Sequence, residues 1–239
     1  MTRDFNVEAA ALPRLSFDLQ MHDYMMDTFR PWFRGGAALE LGCFMGDFTH
    51  HICKEFETVT VIEAASECIR ISNERLANVK AEFVHSTFEA ADLKEERFDA
   101  IFLIHAIEHL DDPVRVLTRC RDWLAPGGRL FLACPNANAA SRQIAVAMGL
   151  LPSNQCVTGA EREHGHKRTY ALDTLELDAR LAGLKVMARG GIFFKAMSGA
   201  QFDNALAAKI IDNCYMEGCY QIGQRYPDLC NSVYLVCEA

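Results

Sequence analysis

Four groups of residues in this 239-residue chain have the types and spacing to do chemistry. The first is Glu40-Leu41-Gly42-Cys43-Phe44-Met45-Gly46, where an apolar run from Ala37 meets an acid and two glycines bracket a turn. A helical pattern from Asp47 to Phe56 follows at once. Glycine at both ends lets the backbone turn sharply and approach a ligand with no Cβ in the way, and the first helical amides carry partial positive charge. The spacing misses the dinucleotide fingerprint, because Cys43, Phe44 and Met45 separate the glycines, and no Lys follows Gly46 as a phosphate-cradling P-loop requires. The loop therefore suits a ligand with little or no phosphate. The second group is Glu63, which closes the β-branched run Thr58-Val59-Thr60-Val61-Ile62. An acid there, about 20 residues past the first glycine, is placed to accept hydrogen bonds from ribose hydroxyls. The third is His105-Ala106-Ile107-Glu108-His109. The fourth is His164-Gly165-His166-Lys167-Arg168-Thr169-Tyr170, the densest group of titratable side chains in the chain.

His105, Glu108 and His109 also fit the zinc-protease pattern H-x-x-E-H, which needs both histidines on one continuous helix. His105 ends an apolar strand and the next helix is expected near Asp112-Pro113, so no metal is expected.

The elements that must position these groups follow from periodicity. An amphipathic helix is expected from Ser16 to Phe33, with Ser16 as N-cap and Phe17, Tyr24, Met25 and Phe29 among its apolar members. Residues 1–36 form an N-terminal helical extension or lid, and residues 37–239 the main domain. Strands are expected at Thr58–Glu63, Ala81–His85, Phe98–Ile104 and Arg129–Cys134, alternating with helices, as in a parallel sheet with right-handed crossovers. A variable segment, about 137–171, departs from this alternation. A helix at Leu172–Leu181, a strand at Leu184–Phe194, a helical stretch at Gln201–Gln221 and a strand at Ser232–Cys237 complete the pattern. Lys195 to Gly199 would reach the ligand-facing edge only if that connection folds back.

Composition narrows the partners. Lys plus Arg number 24 against 32 for Asp plus Glu, a formal charge of −8 with no basic block, so no nucleic-acid partner is expected. The ten cysteines are scattered, with no C-x-x-C pair and no secretory leader read before them, which fits reduced thiols and a cytoplasmic protein. No apolar run approaches the roughly 20 residues that span a bilayer, so no membrane partner is expected.

Taken together, Glu40-Leu41-Gly42-x-x-x-Gly46, Glu63, Phe98-Asp99, Glu108-His109-Leu110 with Asp112-Pro113, and Leu124-Ala125-Pro126-Gly127-Gly128 resemble the class I S-adenosylmethionine-dependent methyltransferases. The resemblance covers Ala37 to Asn136 and is closest to the small-molecule enzymes of the ubiquinone-biosynthesis and antibiotic-sugar types. It implies an α/β, Rossmann-like fold with a seven-stranded, mostly parallel sheet, helices on both faces and an antiparallel last strand. It also implies S-adenosylmethionine as cofactor, held by Glu40, Gly42, Cys43, Gly46, Asp47, Glu63, Ala64, Thr87, Phe88 and His105, with Tyr24 from the N-terminal helix. Gly42 and its loop would pass under the methionine part, and Glu63 would hold both ribose hydroxyls. Thr87 and Phe88 fall where the family contacts adenine, and His105 lies beside the expected sulfonium. Cys43 stands where a middle glycine is common.

Methyl transfer from a sulfonium is an in-line displacement, so catalysis can rest on positioning and removal of the acceptor's proton. A histidine titrating near neutrality suits that task. His164 or His166 is the expected base, Arg168 would bind an acidic group of the substrate, and Tyr170 would orient it. The expected reaction is O-methylation of a small molecule. The alternatives are a cofactor-binding protein of the same fold that transfers nothing, and a nicotinamide dehydrogenase. The aromatics and Met between Asn213 and Tyr226 allow a homodimer contact.

Overall fold

The structure is a computed structural model that describes residue 6 and residues 16–77, 81–93, 95 and 97–239. The rest of the N-terminal extension expected at residues 1–36, that is residues 1–5 and 7–15, lies outside the described residues, as does the side chain behind the capping role expected of Ser16.

In chain order the elements are α1 (Ser16–Phe29), β1 (Ala37–Leu41), α2 (Asp47–Glu55), β2 (Thr58–Glu63), α3 (Ser66–Arg75), β3 (Ala81–His85), β4 (Phe98–Ile104), α4 (Pro113–Trp123) and β5 (Leu124–Pro135). They continue with α5 (Ala140–Ala147), α6 (Gly159–Glu163), α7 (Leu172–Leu181), β6 (Lys185–Phe194), α8 (Gly199–Ala207), α9 (Asn213–Gly223) and β7 (Cys230–Glu238). The seven strands form one sheet in the order β3-β2-β1-β4-β5-β7-β6. The pairs among β1 to β5 are parallel, and β7 runs antiparallel to both β5 and β6.

Successive strand residues point to opposite faces, and helices cover both, so the strands read as continuous apolar runs. Leu39, Leu41, Ile101, Leu103, Leu130 and Leu132 pack on one side with Val116, Leu117 and Trp123 of α4 and Leu175 of α7. Ala38, Phe102 and Phe131 pack on the other with α1, α2, α8 and α9. On α1, Phe17, Met21, Met25, Met26 and Phe29 are fully or almost fully buried. The Phe29 ring lies 5.2 Å from that of Phe131 and 5.7 Å from that of Tyr234.

Three boundaries differ from the sequence reading by more than two residues. The first helix ends at Phe29, and Arg30–Trp32 is a 3-10 turn, because Pro31 has no amide to continue the helical bonding. The stretch expected as one helix at Gln201–Gln221 is α8 and α9. The second starts at a separate cap, where the Asp212 carboxylate accepts the Tyr215 amide at 3.0 Å. β5 begins at Leu124, five residues early, because Leu124 already pairs with Phe98 before a bulge in the register. Among the described residues, no helix is long and apolar enough to cross a membrane.

Phe29→Ala is expected to cost about 3–5 kcal/mol, since both the ring and its aromatic contacts are lost from a packed interior. A urea unfolding curve would show a lower midpoint with an unchanged slope.

Candidate active site

A cavity of about 660 Å³ opens at the C-terminal edge of the parallel strands, the usual ligand position in such sheets. Its floor on one side is the loop from β1 to α2. Gly42 has φ 83° and Gly46 φ 79°, the left-handed region where a side chain would be strained. A Cβ on Gly46 would also sit 3.1 Å from Ser72 Oγ and 3.2 Å from Leu76 Cδ1. The Gly42 amide donates to Ile62 O at 2.9 Å, which ties the loop to β2. Glu63 completes the tie: its Oε2 accepts the Cys43 amide at 3.1 Å and the Phe44 amide at 3.4 Å, and its Oε1 accepts the Ala65 amide at 2.8 Å. Beneath the loop, buried Glu40 accepts from Thr49 Oγ1 at 2.6 Å. Burial pushes Glu40 up to about 8 from the ordinary 4.5, against the pull of the Thr49 bond, so the group is largely protonated at neutral pH. Burial also pushes the Cys43 thiol far up, which leaves it a packing group.

The other side of the cavity is built by histidines. His105 ends β4 with φ 48°, a conformation uncommon outside glycine, and its Nε2 lies 3.0 Å from Ser232 Oγ on β7. Burial, with the nearby His22, His166 and His109 adding to it, drops His105 to about 3, so the ring is neutral. The chain then makes one 3-10 turn, Ile107–His109, rather than a continuing helix. That turn sets His109 against His166, whose ring centroid is 4.7 Å distant in an edge contact. Ligand atoms of Glu108, His109 and His166 all lie within 4.8 Å of one another. Such a trio can hold a proton network or a divalent cation. The H-x-x-E-H spacing does not describe it, because the second histidine comes from the loop after α6.

Glu108 is buried, and burial lifts it to about 8. Its Oε2 has no hydrogen-bond partner and is shielded from solvent. His166 is held by its own amide, which donates to Glu161 O at 2.9 Å. Thr158 and Glu161 cap α6 reciprocally, and Arg142 Nη1 pairs with Glu161 Oε1 at 2.6 Å, so the loop has a rigid base. Burial lowers His166 below its ordinary 6.5, with the Glu161 charge opposing.

The residues expected to bind cofactor largely converge: Glu40, Gly42, Cys43, Asp47, Glu63, Ala64, Thr87, Phe88 and His105 all line the cavity. Gly46 sits just behind the loop against α3, lining an adjacent hollow. Tyr24 does not reach the cavity. Its ring stacks on Tyr220 at 4.7 Å and contacts Phe193 at 5.3 Å, while Asp18, Leu19 and His22 of the same helix line the wall. The fourth group divides. His164 and His166 line the cavity, whereas the Arg168 guanidinium donates to Leu110 O at 3.1 Å and Asp111 O at 3.0 Å. Tyr170 is buried and donates to Asp178 Oδ2 at 2.8 Å, and burial together with that bond raises its hydroxyl well above the ordinary value. Both side chains are committed to the fold, and the backbone of Tyr170 bridges to Asn136. Asp18, His22, Glu161 and Lys195 also line the cavity and were not expected there. Lys195 and Gly199 arrive because their connection folds back to the ligand-facing edge.

These buried groups make stability depend on pH in opposite senses. Glu40 and Glu108 titrate higher in the folded chain, so their contribution is present below about pH 4.5 and is lost as pH rises toward 8. His22, lowered to about 4, and His105 titrate lower, so theirs is present above about pH 6.5 and is lost as pH falls. Glu40→Gln keeps an acceptor for Thr49 and removes one ionisation. Its melting temperature is expected to exceed that of the wild type by a few degrees at pH 8 and to match it near pH 4.5, as calorimetry without ligands would show.

Residues 39–132 match the family described as methyltransferase domain. The chain is 26% identical over 168 residues to the ubiquinone biosynthesis O-methyltransferase of Dinoroseobacter shibae, covering 70% of this chain and 66% of that protein. The enzyme of the same description from Cereibacter sphaeroides is 27% identical over 173 residues, 70% of this chain and 67% of that one. The matches thus span about two thirds of those relatives' length. Among solved structures, the N-methyltransferase NodS of Bradyrhizobium japonicum, in complex with S-adenosylhomocysteine, superposes with TM-score 0.60 at 15% identity over 95% of this chain and 89% of its own. The cyclase SpnF superposes with TM-score 0.62 at 15% identity over 92% and 79%. The latter likenesses are of fold. The sheet order, the glycine loop clamped to Glu63 and the matched residues agree: residues 39–132 carry a class I S-adenosylmethionine-dependent methyltransferase domain, with S-adenosylmethionine as its cofactor.

Proposed function

We propose that the protein transfers a methyl group to an oxygen of a small-molecule acceptor, with His166 taking the acceptor's proton. The observation that carries this is a half-buried histidine on a braced loop at the cavity wall, kept neutral by its surroundings and so ready to accept. The resemblance to ubiquinone biosynthesis O-methyltransferases supports an oxygen acceptor.

The residues present fit the cofactor. Two left-handed glycines keep Cβ atoms out of the loop, and Glu63 offers a carboxylate already aligned by three amides. In this reading Glu63 binds the ribose hydroxyls, Gly42 and Cys43 underlie the methionine part, and Thr87 and Phe88 face the adenine. S-adenosylmethionine supplies, when bound, an electrophilic methyl carbon on a sulfonium. His105, neutral and fixed to Ser232, shapes the wall near it without adding a competing charge. His166 receives the hydroxyl proton, with His109 at ring contact and His164 beside it on the same loop. Glu108, protonated, is a hydrogen-bond donor toward the same space.

In the same reading residues 1–36 are an extension or lid, of which α1 lines the cavity wall, and about 137–171 are the acceptor side. Ten free cysteines support a reducing, cytoplasmic setting. Exposed Ile210, Tyr215 and Tyr226 around α9 support a homodimer contact, and the net charge of −8 speaks against nucleic acid as substrate. The family match leaves no place for the nicotinamide reading. A second reading, cofactor binding without transfer, draws on the likeness to a cyclase, and is tested by whether any acceptor yields S-adenosylhomocysteine.

Glu63→Ala is expected to weaken S-adenosylmethionine binding roughly tenfold or more in calorimetric titration, since charge-assisted bonds to the ligand and the brace on the loop are both lost. His166→Ala is expected to lower kcat by roughly a hundredfold or more with little change in cofactor affinity. For the wild type, kcat should rise with pH through a value below 6.5 and level off above pH 7, because the base works deprotonated. A rate that climbs steadily past pH 8 would remove His166 from that role.

A further inference from the structure

Lys195 follows directly on β6, one residue past its end at Phe194, and among the described residues is the only Lys or Arg that lines the cavity. It is 5% exposed, a degree of burial that lysines reach rarely without a partner. Its ammonium lies 4.2 Å from the centre of the Phe17 ring, and no carboxylate among the described residues comes within ion-pair distance of it. Asp18 on α1 and Asp203 on α8 face it at longer range and favour its charge, but Asp203 Oδ1 is engaged by the Phe17 amide at 2.8 Å. Burial outweighs both and lowers the ammonium to about 8, so it remains mostly charged at neutral pH.

The backbone holds Lys195 in place on both sides. Phe193, two residues before it, has φ 66°, a strained value for a bulky residue, and is itself fully buried. Lys195 O accepts the Ser141 amide at 3.2 Å, which fixes the connection against α5. Four residues on, α8 begins at the same cavity. Ser198 and Gln201 cap each other across its first turn, while the Gly199 and Ala200 amides have no carbonyl within the helix to bond. Gly199 lines the cavity with Lys195. A buried cation with no carboxylate among the described residues at ion-pair distance and a helix N-terminus at one end of a ligand cavity form an anion-binding arrangement.

We propose that Lys195 and the N-terminus of α8 form a carboxylate subsite for the acceptor. A carboxylate in this cavity has two sources, the acceptor and the methionine part of the cofactor. The sheet order favours the acceptor: Gly42, Glu63 and Thr87 follow β1, β2 and β3, whereas Lys195 follows β6 at the opposite edge, beyond β4, β5 and β7. This rests on the methyltransferase reading and gives it a substrate class, a small molecule that carries a carboxylate away from its methylated oxygen. It also replaces Arg168, which was expected to bind an acidic group and is occupied by the carbonyls of Leu110 and Asp111.

The test is equilibrium binding to the full-length wild type, Lys195→Met and Lys195→Arg. S-adenosylhomocysteine and 5′-methylthioadenosine are titrated first. 4-Hydroxybenzoate, 3,4-dihydroxybenzoate and their uncharged counterparts 4-methylphenol and 4-methylcatechol are then titrated into protein saturated with S-adenosylhomocysteine. The wild type is expected to prefer at least one carboxylate over its neutral counterpart by roughly tenfold or more. Lys195→Met should abolish that preference, Lys195→Arg should retain part of it, and neither should change S-adenosylhomocysteine affinity. The melting temperature of Lys195→Met should equal or exceed that of the wild type, because an unpaired buried charge is removed; a fall without loss of the preference would mark a structural lysine and overturn the subsite. Loss of S-adenosylhomocysteine affinity in Lys195→Met, with 5′-methylthioadenosine binding intact, would give the carboxylate to the cofactor and overturn the acceptor assignment. Failure of every carboxylate to bind the loaded wild type, or equal binding to all three proteins, would overturn it as well. Failure of S-adenosylhomocysteine to bind the wild type would instead count against the underlying reading.

Discussion

The amides of Cys43 and Phe44 converge on one oxygen of Glu63, and the remainder of the site depends on that meeting. It joins the loop after β1 to the end of β2, so the two strands present their C-terminal ends as one surface. The contact requires the turn to be tight, which in turn requires left-handed backbone at Gly42 and Gly46. It also leaves part of the Glu63 carboxylate facing the cavity, since an ionised acid has more lone pairs than three amides fill. A loop preset in this way has little conformational freedom to lose when a ligand binds.

A second constraint is the economy of charge around the cavity. Glu40, Glu108, His22 and His105 are all pushed by burial toward their neutral forms. Seven acidic residues line the cavity, but two of them, Glu40 and Glu108, carry little charge at neutral pH. The cationic Lys195 is therefore less offset than its surroundings suggest. Low local polarity strengthens whatever ionic contact a ligand makes there. The cost is stability that varies with pH on both the acid and the alkaline side.

The insertion of β7 between β5 and β6 organises the acceptor side. It brings Ser232 against His105 and lays β6 at the outer edge, so the connection after β6 can return to the cavity with Lys195 and Gly199. On the opposite wall, the loop after α6 delivers His164 and His166. Two segments with no sequence relationship thus bring His164 and His166, and Lys195 and Gly199, to one cavity that the loop after β1 also lines. The likeness to both a methyltransferase and a cyclase is one of fold.

Much of the first half was legible from residues alone. The runs at Ala37, Thr58, Ala81 and Phe98 are local patterns of apolar and β-branched residues, and a strand buried on both faces writes itself as such a run. Gly42, Gly46 and Glu63 were readable because a turn, a close approach and a strand-end acid each demand particular residue types at fixed spacing. Direction within the later segments was not. Arg168 and Tyr170 follow His166 closely, yet they are committed to the fold, Arg168 by the carbonyls of Leu110 and Asp111 and Tyr170 by Asp178. Tyr24 lies two residues from His22, on the face that meets Tyr220, and helical periodicity alone does not say which partner each face will find. Glu108 and His109 gained His166 from the loop after α6, where a 3-10 turn sets His109 against it. Sequence by itself determined the strands, the glycine loop and the acid at the end of β2, which are properties of short segments. Tertiary structure alone decided which titratable groups are buried, which face one another, and that the buried Lys195 stands at the cavity, because burial and orientation are set by residues far apart in the chain.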